Sequence, residues 1–264
     1  MGSEIEIQGM EYKQELAFAR KVVGEVGDIL MERFGSISVP KFLNQVKGVA
    51  AEVDLLADNH IREAIERTYQ NHGIFTEESE AKGIESEFVW LADALDGTIN
   101  FVRGKRDFAV TLSLMRNKQP VLGVTYQPAT QEEFYAEQNG GTYHNGSMVK
   151  VSDLDSLSEA IVHIETNFYK YQQNIQIRDR LTENAGRIHA INSSALELAY
   201  TACGKSDACI YFGPVFELSA GALLVQEAGG KVTDIDGNPF TLNSNSIIAS
   251  NGKIHPQLEQ LLSL

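Results

Sequence analysis

The stretch WLADALDGTINF occupies positions 90–101, and the residues just before and into it, EFVW, read as a strand. Asp93 and Asp96 stand three residues apart, and Gly97-Thr98 follows at once. The Gly-Thr pair argues for a strand end turning into a loop. Such a turn lets both carboxylates converge and exposes the Leu95 carbonyl. Neighbouring carboxylates repel, so something must offset their charge. Carboxylates and a backbone carbonyl are the hard oxygen ligands that Mg²⁺ prefers. Gly97 leaves room for a ligand close to the backbone, where amides hold a phosphate. The same segment also reads as a surface turn with solvated aspartates, since Asp-Gly is a common turn pair, and on its own it leaves both readings open.

Outward from this stretch the chain alternates elements, with no internal repeat. Toward the N-terminus, residues 11–35 carry apolar residues at helical spacing and close on Gly35, a C′ position. ISVPKFLNQVKGVAAE (37–52) breaks the pattern and reads as a mobile or strand-like connection; Asp54 then opens a second helix that ends at Gly73. Toward the C-terminus, DFAVTLSLMRN, PVLGVTYQP and EEFYAEQ join EFVWLAD in a strand-rich block that reads as an antiparallel sheet. Near residue 152 the order changes. AIVHIET, RIHAI, DACIYF and SIIAS read as strands, interleaved with helices at 174–185, SSALELAYTACG and PVFELSAGALLVQEAGG; HPQLEQLLSL ends the chain. This predicts an α/β protein with an N-terminal α+β part, 10–152, and a C-terminal α/β part, 153–264. No Gly/Ser/Pro linker separates the parts, so they are expected to pack closely.

Composition sets the bounds. The 264 residues are 43% hydrophobic, and no apolar run is long enough to span a membrane. The first ten residues lack the basic and apolar regions of a signal peptide, and Glu6 does not fit a myristoylation signal. Cys203 and Cys209, too few for a disulfide framework, lie in apolar surroundings and read as inert thiols, so a cytoplasmic home is expected. The net charge of −14 argues against nucleic acid or an anionic membrane as main partner, and it means that a phosphorylated substrate needs a cation. Taken singly, the other acids are unremarked. Glu77 and Glu78 read as a solvated loop, and Asp54 and Glu217 as first-turn acids favoured by helix dipoles. His163, His189 and His255 lie near apolar runs and read as structural.

Five segments in the same order change the weight of these acids. WLADALDGTINF resembles the pattern W-x-x-D-P-x-D-G-T-x-N-F of the inositol monophosphatase family, and FTEES (75–79) its G-E-E-S. AAEVD (50–54) resembles its T-x-x-D, INSSALELAYTACGKSDA (191–208) its G-S-A-A-L segment, and FELSAGALLVQEAGG (216–230) its W-D-x-A-A-G segment. A D-x-D-x-T phosphatase motif does not fit, because the aspartates stand one residue too far apart.

The resemblance covers most of the chain and implies a sugar-phosphatase fold of stacked αβαβα layers, commonly a homodimer. It implies hydrolysis of a small phosphate monoester with Mg²⁺, about two or three ions, and sensitivity to Li⁺. It assigns Glu77, Asp93 and the Leu95 carbonyl to a first metal, and Asp93, Asp96 and Glu217 to a second. Thr98 and Asp54 match the pair that helps Glu77 orient the attacking water. The Gly97 and Thr98 amides match phosphate contacts, with Asp96, Ser194 and Tyr211 on the substrate side. The chain departs from the pattern at Ala94 and Ile99, at Gly48 and Ala51 in the connection, at Tyr211 where an acid contacts inositol hydroxyls, and at Glu217 where W-D becomes FE. These departures leave open inositol phosphate or a related sugar or polyol phosphate, another monoester such as histidinol phosphate or a nucleotide 3′-phosphate, and a regulatory protein that keeps the fold with little turnover.

Overall fold

A computed structural model describes residues 11–36, 46–164 and 173–262. In chain order the elements are α1 (Lys13–Arg33), α2 (Val46–Thr68), β1 (Gly73–Thr76), β2 (Phe88–Asp96), α3 (Thr98–Val102), β3 (Ala109–Arg116), β4 (Gln119–Gln127), β5 (Glu132–Glu137), β6 (Gly141–His144), β7 (Ser147–Val149), β8 (Ile161–Ile164), α4 (Gln173–Asn184), β9 (Arg187–His189), α5 (Ser194–Ala202), β10 (Ala208–Phe212), α6 (Val215–Glu227), β11 (Lys231–Thr233), β12 (Ser246–Ser250) and α7 (His255–Leu262). A single 3₁₀ turn, Leu157–Glu159, precedes β8.

The first seven strands form one sheet in sequence order. β1 runs parallel to β2, and every later neighbour is antiparallel. The other five strands form a second sheet in the order β11-β12-β10-β8-β9, parallel among β10, β8 and β9.

Helices cover the first sheet on both faces, so β2 is apolar almost throughout. Trp90, Ala92 and Ala94 point into a core with Leu16, Val23 and Leu30 of α1 and Ile61 and Ile65 of α2. Val89 and Leu91 point the other way, into a core with Leu198 of α5 and Leu218, Leu223 and Val225 of α6. This second core draws on residues from both sides of position 152. Helix α6 packs against β2–β5 on one side and β11 and β12 on the other, and only a helix apolar nearly all round suits that place. Beyond the second sheet, Ile177 and Leu181 of α4 and Leu258 and Leu262 of α7 close a third core. The layers are therefore αβαβα, as the family resemblance implied.

Helix α1 ends as expected: Gly35 takes φ +75°, and the Ser36 amide donates to the Arg33 carbonyl. Helix α2 corrects the sequence reading at both ends. It begins at Val46, so Asp54 sits in the helix interior and no dipole argument applies to it. Residues 37–45 of the expected connection lie outside the described residues. Gly48 lowers helix propensity by about 1 kcal/mol, but Ala50, Val53, Ala57 and Ile61 form a buried stripe, and packing outweighs propensity. At the other end Gly73 is not a helix stop. It is the first residue of β1, paired with Val89, and a Cβ there would collide with the Gly83 carbonyl.

Candidate active site

β1 and β2 are parallel, and their last registered pair is Thr76 with Ala92. Glu77 therefore leaves β1 beside Asp93. In a regular strand Asp93 and Asp96 would point to opposite faces. Asp93 pairs with Thr111 and Asp96 with Ala109, so three steps along β2 answer two along β3. That one-residue bulge aims both carboxylates at the same end of the sheet. Strand β2 thus runs on to Asp96, past the strand end read from sequence, and the following turn is a short helix, α3, capped by Gly97 at φ +90°. A Cβ on Gly97 would stand 2.8 Å from the Asp107 carbonyl oxygen, so this position tolerates no side chain.

Three of the sequence-derived acids meet here. Glu77, Asp93 and Glu217 each bring a carboxylate oxygen within 4.8 Å of the others. Asp93 is buried, and Glu77 and Glu217 are half-buried. Burial drives the Asp93 carboxyl well above the ordinary carboxylate range, and Glu77, Asp96, Glu217 and Asp54 push it the same way. Asp54 thus lies within electrostatic reach of Asp93 from α2, itself buried. Glu217 reaches the group from the first turn of α6. Gly213 makes the space: a Cβ there would come within 2.9 Å of Glu217 Oε2 and 2.8 Å of Tyr211 Cε1. Tyr211, on β10, therefore flanks the same gap as Glu217.

Asp96 is held differently. The Ser193 hydroxyl donates to its Oδ2 at 2.5 Å and the Ala195 amide to the same atom at 2.9 Å. The Ser194 hydroxyl lies 3.4 Å from Oδ1, and its side chain is buried against Asp96. Burial pushes the Asp96 carboxyl up to about 6, against the downward pull of these donors. The Leu95 carbonyl accepts the Thr98 hydroxyl at 3.1 Å, while the Leu95 amide donates to Asp93 Oδ1 at 2.9 Å.

Several supporting residues escaped the sequence reading. Asp58 accepts the Ser79 hydroxyl at 2.8 Å, tying the loop after Glu77 to α2. Its i, i+4 spacing from Asp54 was the available signal. Asn100 Nδ2 donates to the carbonyls of Asp107 and Ile191, both at 2.7 Å. Buried Glu197 accepts the Ile191 and Asn192 amides at 2.6 and 3.2 Å and so fixes the loop that delivers Ser193 and Ala195. An acid in the first turn of α5 hinted at a cap, but not at a loop clamp.

The donor chemistry is all oxygen, negatively charged and partly withdrawn from water, without a sulfur or imidazole in the group. That set fits a hard divalent cation and not a soft one.

The family profile described as Inositol monophosphatase family matches residues 11–263. The chain is 31% identical over 250 residues to the fructose-1,6-bisphosphatase/inositol-1-monophosphatase of Thermotoga maritima, covering 94% of this chain and 95% of that one. It is 35% identical over 245 residues to Nus factor SuhB of Pseudomonas aeruginosa, covering 89% of each. The solved inositol monophosphatase of Anabaena superposes with a TM-score of 0.84 at 29% identity, over 95% of each chain. With the layered fold and the acids at the end of β2, these matches settle the relationship: the chain belongs to the inositol monophosphatase family and is a phosphoric monoester hydrolase.

Proposed function

We propose that this enzyme hydrolyses a small sugar or polyol phosphate, inositol monophosphate among them, with Mg²⁺ as its metal. The convergence of Glu77, Asp93 and Glu217 beside Asp96 and the Gly97 turn carries this reading. Glu77, Asp93, Asp96, Glu217 and the Leu95 carbonyl would hold Mg²⁺. When bound, Mg²⁺ lowers the pKa of water and neutralises charge on phosphoryl oxygens. The chain's own part is positioning. The Gly97 and Thr98 amides bind the phosphate, and the absent Cβ lets it approach the backbone. Glu77, helped by Thr98 and Asp54 as the resemblance implies, orients a water in line with the scissile bond. A new P–O bond forms to that water, the bond to the alcohol breaks, and the proton passes to the departing alkoxide. Tyr211 stands on the side of the alcohol, while Ser194, buried against Asp96, bears on that side only through Asp96. Tyr211 replaces an acid there, which favours a monoester other than inositol phosphate, such as histidinol phosphate or a nucleotide 3′-phosphate, as a second reading.

A regulatory protein with weak turnover is the remaining reading, and the 35% identity to a Nus factor favours it. We also propose a cytoplasmic homodimer built from the parts 10–152 and 153–264. Among the described residues no helix is long and apolar enough to cross a membrane, and the charge of −14 speaks against nucleic acid as main partner. Phosphate release from a panel of monoesters, with and without Mg²⁺, tests the reading. Release that needs Mg²⁺ and is inhibited by Li⁺ is the expected result. No release from any monoester with Mg²⁺ supports the regulatory reading instead.

A further inference from the structure

Ser193 stands at the N-cap of α5, where a serine hydroxyl ordinarily accepts a hydrogen bond from the helix's own first amides. Here it makes no such bond and donates to Asp96 instead. The Ala195 amide, at a helix start where amides lack partners inside the helix, also goes to Asp96. A turn that gives up its own cap has to be held by another group. The residue before it, Asn192, stands in the left-handed region at φ +60°, which costs energy for any residue but glycine. Glu197 supplies the hold: its Oε1 accepts the Ile191 amide at 2.6 Å and the Asn192 amide at 3.2 Å. From α3, beside the Gly97 turn, Asn100 Nδ2 donates to the Ile191 carbonyl at 2.7 Å. Ile191 is thus gripped at both its amide and its carbonyl. Glu197 is only 1% exposed. The imidazole nearby, with His163 Nδ1 at 3.8 Å, is held down to about 4 by burial and by His189, so it is uncharged at neutral pH and brings no counter-charge. Burying a carboxylate is costly, and an apolar side chain of that size would pack α5 at lower cost, so stability does not account for an acid here.

We propose that Glu197 is a positioning residue for the hydrolysis: by fixing residues 191–193 it sets the Ser193 and Ala195 donors on Asp96 and so aims the Asp96 carboxylate at the metal. This inference rests on the phosphatase reading above. Glu197 acts through Asp96 and not on the substrate. A hydrogen-bond partner behind a metal ligand fixes that ligand's direction, and its loss typically costs about 10–100-fold in metal affinity or activity. Glu197 stands one step further back, so the lower end of that range is expected.

The test uses Glu197→Met, which keeps the length and removes the acceptor, and Glu197→Gln, which keeps an acceptor oxygen and drops the charge. Mg²⁺ binding is measured by calorimetry without substrate, at a temperature where melting curves show each variant folded. Phosphate release from inositol 1-phosphate is followed against Mg²⁺ concentration. Glu197→Met should bind Mg²⁺ about tenfold more weakly and need about tenfold more for half-activation, with KM for the monoester within about twofold. Glu197→Gln should recover most of the loss. A stability defect alone would leave the Mg²⁺ affinity of the folded protein unchanged. In a Ser193→Ala background the effect of Glu197→Met should shrink to about threefold or less, because its main route is already cut. A measurement on the wild type needs no variant to fold. Linkage is reciprocal, so Mg²⁺ should slow hydrogen exchange at the Ile191 and Asn192 amides more than at Leu258 in α7. Unchanged Mg²⁺ affinity in Glu197→Met, equal loss in Glu197→Gln, an undiminished effect in the Ser193→Ala background, or no extra slowing at residues 191 and 192 overturns the inference. If the wild type releases phosphate with Mg²⁺ and Glu197→Met does so equally well, the inference falls and the phosphatase reading stands. If the wild type binds Mg²⁺ and releases no phosphate, the phosphatase reading falls and the inference falls with it, though the calorimetry still reads the hold on Asp96.

Discussion

Asp93 and Asp96 share one strand and one bulge, yet their surroundings differ in kind. Around Asp93 the protein places carboxylates: Glu77, Glu217 and, farther off, Asp54. Around Asp96 it places donors: the Ser193 hydroxyl and the amides at the start of α5. The first arrangement is repulsive until a cation or protons enter. The second solvates its carboxylate with the protein itself. The contrast shows where an added positive charge is needed and where the fold already supplies the equivalent.

The sharpest way to break the contrast is Asp93→Asn. It removes the charge on which the acids converge, so Mg²⁺-dependent phosphate release should fall by on the order of 10³-fold. The melting temperature without divalent ions should hold or rise, because repulsion is relieved. Activity within a few-fold of wild type, in a stopped assay with saturating Mg²⁺, would refute the role given to the crowded side.

The donors around Asp96 offset its burial only in part, and a pH titration should reveal the remainder. Its folded-state value of about 6 lies above the ordinary 3.8. A carboxyl raised on folding binds protons more tightly in the folded state. Its contribution to stability is then full below the ordinary value and is lost as pH rises through about 6. In the metal-free protein, Asp96→Asn should therefore gain stability on the wild type between about pH 4 and pH 7.5. Urea midpoints at the two ends measure it, and a variant that loses ground over that span contradicts the assignment.

We propose that the crowded side also depends on a length compensation at Glu217. The loop before α6 is short, and glutamate is one methylene longer than aspartate. Together they bring its carboxylate to within 4.8 Å of Glu77 and Asp93 oxygens. Glu217→Asp should then fall short and raise the Mg²⁺ concentration for half-activation roughly tenfold. Gly213→Ala should act in the same direction and more weakly, since its Cβ would press on Glu217 Oε2 and Tyr211. A lower Mg²⁺ requirement in Glu217→Asp would show that the natural residue is a handicap.

Much of this arrangement was legible in the sequence, for identifiable reasons. The long strands and helices are legible by periodicity, apart from the first third of α2, and the resemblance of five segments to the family pattern names the acids that meet. What stayed hidden depended on partners far along the chain. The bulge in β2 exists only against β3, so the sequence suggested an earlier strand end. The buried stripe of α2 outweighs Gly48, so Asp54, which the sequence pattern places at a helix start, lies inside the helix. β1 leaves no sequence signal of its own because its four residues are defined by pairing with β2. Ser193 and Glu197 look like ordinary first-turn residues until the fold sets one on Asp96 and the other on the loop at Ile191.

Ser193 gives the finest test, because its loss makes the surroundings of Asp96 more like those of Asp93. Its hydroxyl is the largest of the influences that lower the Asp96 carboxyl. Ser193→Ala removes that donor and leaves the Ala195 amide in place, so the carboxyl should rise further. If Asp96 must be ionised for turnover, the acidic limb of the pH–rate profile should move upward by roughly half to one pH unit. The stability cost should be modest, about 1 kcal/mol, because one buried acceptor keeps a second donor. A structural defect alone would lower the rate equally at all pH values. Ser193→Thr, which retains the hydroxyl, should bring the limb back toward the wild-type position. An acidic limb that does not move in Ser193→Ala, with Mg²⁺ saturating, would mean that the ionisation limiting turnover at low pH belongs to the crowded side and not to Asp96.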